Sequence, residues 1–316
     1  MAEVAVGVVG AGGMGRHHIR LLSQMSGARL VGIHDKNPET AAAIAAERGV
    51  EVVPSVEELA ARCDALVLAV PTVDHAALGC GLLAQGKHLL IEKPLAASLE
   101  EADRLIAAAA SPGGPRPVLA VGHVEFFNPA VAALVALGTP PRFVEVQRLA
   151  AFTPRSLDVD VVLDLMIHDL QILHALDPSP LAEVRATGIN VLSPRIDIAN
   201  VRLEFASGCV ANLTASRVSA DRVRKLRAFL PSCYYSLDYI EQEVKGFRLD
   251  ERGGSRAIVP ADLAVERDEP LKRELEAFLA ACRGEAAPIV SGPEARQALA
   301  TALAVVEAIG RGGRRG

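Results

Sequence analysis

The chain of 316 residues has no tryptophan and only three tyrosines, so it offers few aromatic platforms for stacking a planar base or a sugar ring. Its five cysteines, Cys63, Cys80, Cys209, Cys233 and Cys282, form no C-x-x-C pair and no even framework. That excludes a disulfide scaffold and suits a reducing compartment. The eight histidines show no H-E-x-x-H or comparable spacing, so no metal centre is expected. A G-x-S-x-G elbow is also missing, which removes a Ser-His-Asp hydrolase of that type. The N-terminal stretch lacks a basic segment and a cleavage site, and its apolar run stops after a few residues. Neither signal peptide nor membrane span is expected, and the expected location is the cytoplasm. A net charge of −5 argues against a general nucleic-acid surface, and the arginines among glycines from Arg311 to Arg315 read as a solvated tail.

What the chain does have is apolar content: half of its residues are hydrophobic, enough for a sizeable core, and the length suits two domains. Up to about residue 122, short β-rich runs alternate with amphipathic segments, the pattern of a parallel sheet covered by helices. Strands are expected over 4–9, 29–34, 51–53, 65–70, 87–91 and 117–122. Ser55-x-x-Glu58 and Ser98-x-x-Glu101 read as capping boxes that start helices. The run Ser111-Pro112-Gly113-Gly114-Pro115 is a strong loop signal, and Asn128-Pro129 reads as an N-cap followed by proline at the first helical position. From Ala182 to Asp250 polar and apolar residues alternate, with a hairpin signal at Ser207-Gly208. The expected architecture is α/β: a doubly wound parallel domain over 1–122, then an α/β domain over 123–316 with a large, mostly antiparallel open sheet. One face of that sheet would pack on helices and the other would be free to meet a partner subunit. Helices around 270–283 and 293–310 are expected to close the second domain.

The strand Val4 to Val9 runs straight into Gly10-Ala11-Gly12-Gly13-Met14-Gly15, a G-x-G-x-x-G turn opening a helix. In such a turn Gly10 permits the tight bend, Gly12 lets a pyrophosphate approach the backbone, and Gly15 lets helix and strand pack closely. The helix N-terminus then offers N–H groups and a positive dipole end to phosphates. The second apolar stretch ends at Asp35, about 20 residues on, where the dinucleotide fingerprint places an acid on the ribose. A carboxylate there accepts hydrogen bonds from a 2′-hydroxyl and repels a 2′-phosphate, so NAD is preferred to NADP. Lys36 beside it pulls the other way, and Asp35 also suits a turn before Asn37-Pro38.

Two further groups carry chemistry. The run Lys87 to Ile91 leads into Glu92-Lys93-Pro94, at the carboxyl end of a parallel strand where open α/β sheets bind ligands. Lys93 there is placed to hydrogen-bond a reacting oxygen, although a lysine before a proline is also an ordinary surface feature. On a helix expected over 160–176, Asp164 and His168 are four apart and share a face amid Leu163, Leu165, Met166 and Ile167. They read either as a satisfied pair that locks the helix or as an acid–base histidine held by a carboxylate near a cofactor.

Together these elements resemble the glucose-fructose oxidoreductase / inositol dehydrogenase / MocA family (Gfo/Idh/MocA). The resemblance runs along nearly the whole chain: Gly10 to Gly15, Ala69-Val70-Pro71-Thr72 followed by His75, Gly86-Lys87-His88 leading to Glu92-Lys93-Pro94, and Asp164-x-x-x-His168-Asp169. It implies a Rossmann domain joined to an α/β domain whose open sheet forms homodimer or homotetramer contacts, and NAD(P)-dependent redox chemistry on sugars and polyols. It also implies that Lys93 and His168 are the catalytic pair with Asp164 as substrate partner. Gly10, Gly12, Gly13, Met14, Gly15, Asp35, Pro71, Thr72, His75, Glu92 and Lys93 would bind the cofactor. Glu125, Asn128, Arg155, Asp164 and His168 would bind substrate.

The stretches Gly122 to Pro129, Phe152-Thr153-x-Arg155, Asp158 to Asp169 and Arg224-Lys225-Leu226-Arg227 are similar to the branch that includes UDP-N-acetylglucosamine 3-dehydrogenases. Members of that branch make a C3 ketone that an aminotransferase converts for a modified lipid A. In this chain Asp160-Val161-Val162-Leu163 stands where many members of the family have glycines, a bulkier approach that counts against free glucose or simple polyols. Phe126 replaces the arginine associated with that branch. Arg148, Arg155, Arg217, Arg222, Arg224 and Arg227 are candidates to border a diphosphate pocket, with Arg155 the first choice. Alternatives on the same fold are a free-sugar or inositol-type dehydrogenase, an NAD-dependent glycosidase, and a non-catalytic NAD sensor, which would be expected to lack Lys93 or His168.

Overall fold

In a computed structural model of the chain, residues 3–110, 116–153, 159–250 and 256–312 are described. The loop expected at 111–115, Arg155 and the end of the arginine–glycine tail lie outside them. The chain divides into two compact units, residues 1–123 with 271–296 and residues 124–270 with 297–316.

The first unit runs β1 (Val4–Val9), α1 (Gly15–Leu22), β2 (Ala28–His34), α2 (Pro38–Arg48), α3 (Val56–Ala61), β3 (Ala65–Leu68), α4 (Thr72–Ala84), β4 (His88–Glu92), α5 (Leu99–Ala109) and β5 (Leu119–Gly122). Its five strands are parallel, in the order β2-β1-β3-β4-β5. β1 and β3 are buried at every residue, which is why they read as unbroken apolar runs: helices cover both faces of a parallel sheet. The strand order reverses between β1 and β3, so the carboxyl ends of these two strands form the switch point where such sheets bind ligands. Both serines cap their helices, Ser55 Oγ accepting from Glu58 N–H and Ser98 Oγ from Glu101 N–H, while the Glu101 carboxylate accepts from Ala97 N–H, one residue before the cap. The expected strand 51–53 is reduced to a single bridge between Val52 and Ile33 at the edge of β2. Pro54, directly after it, has no N–H with which to extend the ladder.

The second unit opens with a 3₁₀ turn at Val124–Phe127, then α6 (Pro129–Val135), β6 (Phe143–Leu149), a π-helical turn at Val162–Met166 and α7 (Ile167–Leu176). β7 (Leu181–Ile189), β8 (Ile198–Phe205), β9 (Val210–Ser216), β10 (Val223–Phe229), β11 (Cys233–Asp238), β12 (Glu243–Asp250) and β13 (Ala257–Pro260) follow. They form one sheet with β6, in the order β13-β12-β11-β10-β6-β9-β8-β7, antiparallel throughout except between β6 and β9. Burial alternates along β6 and β8 as a one-sided sheet requires. Val144, Val146, Val201, Leu203 and Leu213 face the core with Ile167, Leu170 and Leu173 of α7, each buried side chain of this size worth about 1.5–3 kcal/mol. Phe229, Phe247, Leu249 and Ile258 are left exposed.

Two helices close the chain, α8 (Pro270–Cys282) and α9 (Gly292–Gly312). The segment 271–296 groups with the first unit, not with the second as the sequence suggests. The Val290 carbonyl accepts from Val121 N–H at 3.0 Å and Ser291 bridges Ala120, giving β5 an extra edge partner. No helix among the described residues is long and apolar enough to cross a membrane.

Candidate functional site

The glycine turn sits at the switch point and its shape is fixed by its neighbours. Gly10 has φ +94°, and a Cβ on it would lie 2.4 Å from the Ala69 carbonyl oxygen after β3. A Cβ on Gly15 would lie 1.8 Å from the Gly10 carbonyl oxygen, so α1 starts hard against the turn. Gly12 and Gly13 meet nothing within 4 Å, and their side of the turn is open. Met14 caps α1 through its backbone alone, with no side-chain acceptor over the first N–H groups, which leaves that end of the helix available to an anion. Asp35, at the end of β2, accepts from Ala11 N–H at 2.6 Å and from Asn37 N–H at 2.8 Å. The turn and the acid are therefore joined directly. Each carboxylate oxygen keeps further acceptor capacity, since it has more than one lone pair. Lys36 is paired with Asp74 at 2.8 Å.

The loops after β3 and β4 are tied together by His75, which is buried on α4. Its Nδ1 lies 3.1 Å from the Pro94 carbonyl and its Nε2 3.0 Å from the Val70 carbonyl. Pro71 caps α4, and Thr72 is its first residue. Lys93 follows β4 and is joined to Pro94 by a cis peptide bond. Burial, with the charge of Lys93 adding to it, pulls fully buried His123 down to about 3, so that imidazole is neutral beside the ammonium. Glu92 turns inward instead, with its Oε1 2.7 Å from His18 Nε2 on α1. The first unit thus gathers Gly10 to Gly15 with Asp35, and Pro71, Thr72 and His75 with the Lys93–Pro94 loop.

In the second unit the expected α-helix over 160–176 begins as a π turn, closed by Ile167 N–H donating to the Val162 carbonyl. The extra residue arises where Asp160 is engaged on both sides: its carbonyl accepts from Leu163 and Asp164, and its carboxylate from Ile196 N–H. Asp164 therefore lies in the π turn and His168 in the first turn of α7, where the sequence implies one uniform helical face. Such turns recur at functional sites.

Asp169, next to His168, anchors that helix start to β6. Arg148 Nε and Nη2 donate to its two oxygens at 2.7 Å each, while Arg148 Nη1 donates to Glu125 at 2.8 Å. Tyr239 lays its ring 5.0 Å from the guanidinium carbon and donates its hydroxyl to Asp169 at 3.2 Å. Burial alone would pull Arg148 down, but Asp169 and Glu125 outweigh it and hold the guanidinium well above its ordinary value. Glu125 also accepts from Arg224 at 2.9 Å. Asn128 uses its oxygen to cap α6 and its amide to reach the Tyr239 carbonyl at 2.9 Å.

The six candidate arginines separate accordingly. Arg148, Arg217, Arg224 and Arg227 are paired with Asp169, Asp197, Glu125 and Glu145, Arg222 is exposed, and Arg155 is outside the described residues. Three groups escaped the sequence reading. Tyr239 lies 91 positions from Arg148 with no motif to link them. His18 reads as a helix residue, although it falls on the buried side of α1 three positions after Gly15. Glu274 is one of two glutamates in α8, yet it is 1% exposed.

A family described as oxidoreductases with an NAD-binding Rossmann fold, Gfo/Idh/MocA, matches residues 4–119. The chain is 37% identical over 315 residues to a UDP-N-acetylglucosamine 3-dehydrogenase from Acidithiobacillus ferrooxidans, covering 98% of both chains, and a structure of that enzyme superposes with a TM-score of 0.89. An inositol 2-dehydrogenase from Rubrobacter xylanophilus is 31% identical over 231 residues, covering 69% of this chain and 66% of that one. A dehydrogenase from Bordetella pertussis, solved with NADH and UDP-GlcNAcA, shares the fold at a TM-score of 0.80 and 19% identity, covering 98% of this chain and 96% of the other.

Proposed function

The chain belongs to the Gfo/Idh/MocA oxidoreductase family, and on that premise we propose that it is an NAD-dependent dehydrogenase that oxidises the C3 hydroxyl of a UDP-N-acetyl amino sugar to a ketone. The observation that carries the reading is likeness from end to end, through both units, to an enzyme named for that reaction. The inositol dehydrogenases among the relatives are less similar.

The first unit suits NAD. Gly12 and Gly13 leave the outer side of the turn open for a pyrophosphate, Met14 and Gly15 begin the helix behind it, and Asp35 offers acceptors to a 2′-hydroxyl. The Asp35 carboxylate disfavours the extra phosphate of NADP, and Lys36, the cation that would favour it, is engaged by Asp74. Pro71, Thr72, His75 and the Glu92-Lys93 loop form the rest of the cofactor wall. When bound, NAD supplies the hydride acceptor. His168 takes the hydroxyl proton, Lys93 donates a hydrogen bond to the developing alkoxide, and Asp164 orients the sugar. Asp169 and Arg148 hold the helix start that presents His168. Glu125, Asn128 and Arg155 are assigned to the substrate side.

The ketone suits consumption by an aminotransferase on the way to an amino-sugar lipid A or surface polysaccharide. A cytoplasmic setting suits five free cysteines, and the exposed apolar residues of the large sheet suit a homodimer or homotetramer. The test is NADH formation with saturating NAD and UDP-N-acetylglucosamine, N-acetylglucosamine, glucose or myo-inositol, with an aminotransferase and amino donor present to draw off the ketone. Reduction with the nucleotide sugar alone is expected. Turnover of a free sugar or inositol instead would overturn the substrate assignment and leave the family chemistry.

A further inference from the structure

We propose that Glu274 is a buried neutral acid set beside the Glu92 carboxylate, and that by staying uncharged there it lets helix α8 hold the Glu92-Lys93-Pro94 loop in place. It is a positioning residue, and its link to turnover rests on the reading of Lys93 above. Glu274, Glu92 and His18 are 1%, 7% and 0% exposed, and one ligand-type atom from each lies within 4.8 Å of the other two. The Glu92–His18 contact is made, at 2.7 Å. Neither oxygen of Glu274 has a hydrogen-bond partner among the described residues, and no cation is paired with it there.

Two carboxylates this close, out of water, cannot both remain charged without a counter-ion, so one proton belongs to the pair. Glu274 is the site that keeps it, because Glu92 already accepts from or pairs with His18 while Glu274 has nothing to stabilise an anion. Burial first, and the charge of Glu92 second, push the Glu274 carboxyl well above the usual carboxylate range. Among the described residues, the titratable groups facing it are Glu92 from β4 and His18 from α1. Lys93 follows Glu92 in the chain, and its charge acts on buried His123.

The remaining side of Glu92 is fenced by β5. A Cβ on Gly122 would lie 3.2 Å from three atoms of the Glu92 carboxyl group, so there is little room for that side chain to move toward the strand. With His18 on one oxygen, β5 behind and a neutral acid facing it, Glu92 is held in one place. Lys93 is the next residue along the chain.

Because the folded acid keeps a proton that the unfolded chain releases, stability must fall as pH rises from the ordinary carboxylate value through the raised one. Glutamine mimics the neutral acid and removes that slope. The experiment uses the full chain. Infrared difference spectra at pH 7 are expected to show a protonated-carboxyl band that Glu274→Gln abolishes. The Tm of the native protein is expected to fall as pH rises above the ordinary carboxylate range, while that of Glu274→Gln stays flatter. Glu274→Leu, which keeps no donor, is expected to lower kcat about ten- to a hundredfold, with NAD affinity spared and the pH profile of kcat displaced; Glu274→Gln restores much of the loss.

A wild-type band that titrates at the ordinary carboxylate pH would overturn the proposal even if no variant folds. So would a stoichiometric divalent metal retained after dialysis, which would make the three side chains a ligand set. The spectra and the melting curves need no substrate, so their outcome is independent of whether the sugar nucleotide is turned over.

Discussion

The two units build their candidate sites in opposite ways. In the first, the backbone does the work: a turn of six consecutive residues, bent at Gly10 and pressed against α1 at Gly15, leaves an open side at Gly12 and Gly13. In the second, side chains do it: Arg148 reaches Asp169 across 21 positions, Arg224 reaches Glu125 across 99, and Asn128 reaches the Tyr239 carbonyl across 111. A backbone site is compact in sequence and intolerant at one or two positions. A side-chain site is dispersed in sequence, and its stability and its chemistry depend on the same pairs.

The largest effects should come from the residue that the proposed reaction takes from each unit. Lys93→Ala and His168→Ala are each expected to lower kcat by about 10²–10⁴-fold with the proposed substrate. The comparison sharpens when NAD affinity is measured by calorimetry, since both variants should bind the cofactor nearly as the native protein does. A variant that turns over within a few-fold of native has no place in the mechanism. Next in size is Asp169→Asn. Removing Asp169's charge leaves buried Arg148 with Glu125 alone, which it shares with Arg224, and the expected loss is about 3–5 kcal/mol in urea unfolding, together with reduced kcat. A loss below about 1 kcal/mol would mean that the second site is not held by its ion pairs.

The same contrast explains what the sequence made legible. The parallel sheet, the glycine turn and the two serine helix caps were readable because each is encoded by neighbours within a few residues. The hairpin at Gly208 was readable for the same reason, since its φ of +86° calls for glycine. The π turn was not: Val162 to Met166 has the same apolar pattern an α-helix would have, and the Ile196 contact to Asp160 just before it comes from 36 positions away. The grouping of residues 271–296 with the first unit was equally hidden, because its ties, the Val290 carbonyl on β5, Arg296 on Asp103 and Glu274 beside Glu92, join positions far apart in the chain. Among the arginines, sequence supplied charge but not partners, and four of the six turned out to be paired with carboxylates of the second unit.

Glycine substitutions break the comparison from the other side. In Gly15→Ala the new Cβ meets a backbone oxygen at 1.8 Å, which cannot yield like a flexible side chain. The expected cost is at least about 1–3 kcal/mol, seen as a Tm lowered by several degrees with cofactor binding impaired. Gly12→Ala meets nothing within 4 Å, so its Tm should match the native value while NAD affinity falls. Equal melting losses in the two variants would show that Gly12 serves the fold, not the ligand.

The smallest expected effect isolates burial as the variable. Arg62 and Glu51 in the first unit make a two-pronged pair at 2.7 and 2.6 Å, nearly the geometry of Arg148 with Asp169 in the second. The side chains of the first pair are 43% and 56% exposed, those of the second 3% and 1%. Water and salt screen the first pair, and both partners regain full hydration when it is broken. Glu51→Ala should therefore leave Tm unchanged at physiological ionic strength, with any difference appearing only in low salt. If Glu51→Ala and Asp169→Asn lowered Tm alike, fork geometry rather than burial would set the strength of these pairs, and the claim that the second site is held by its buried network would fail with it.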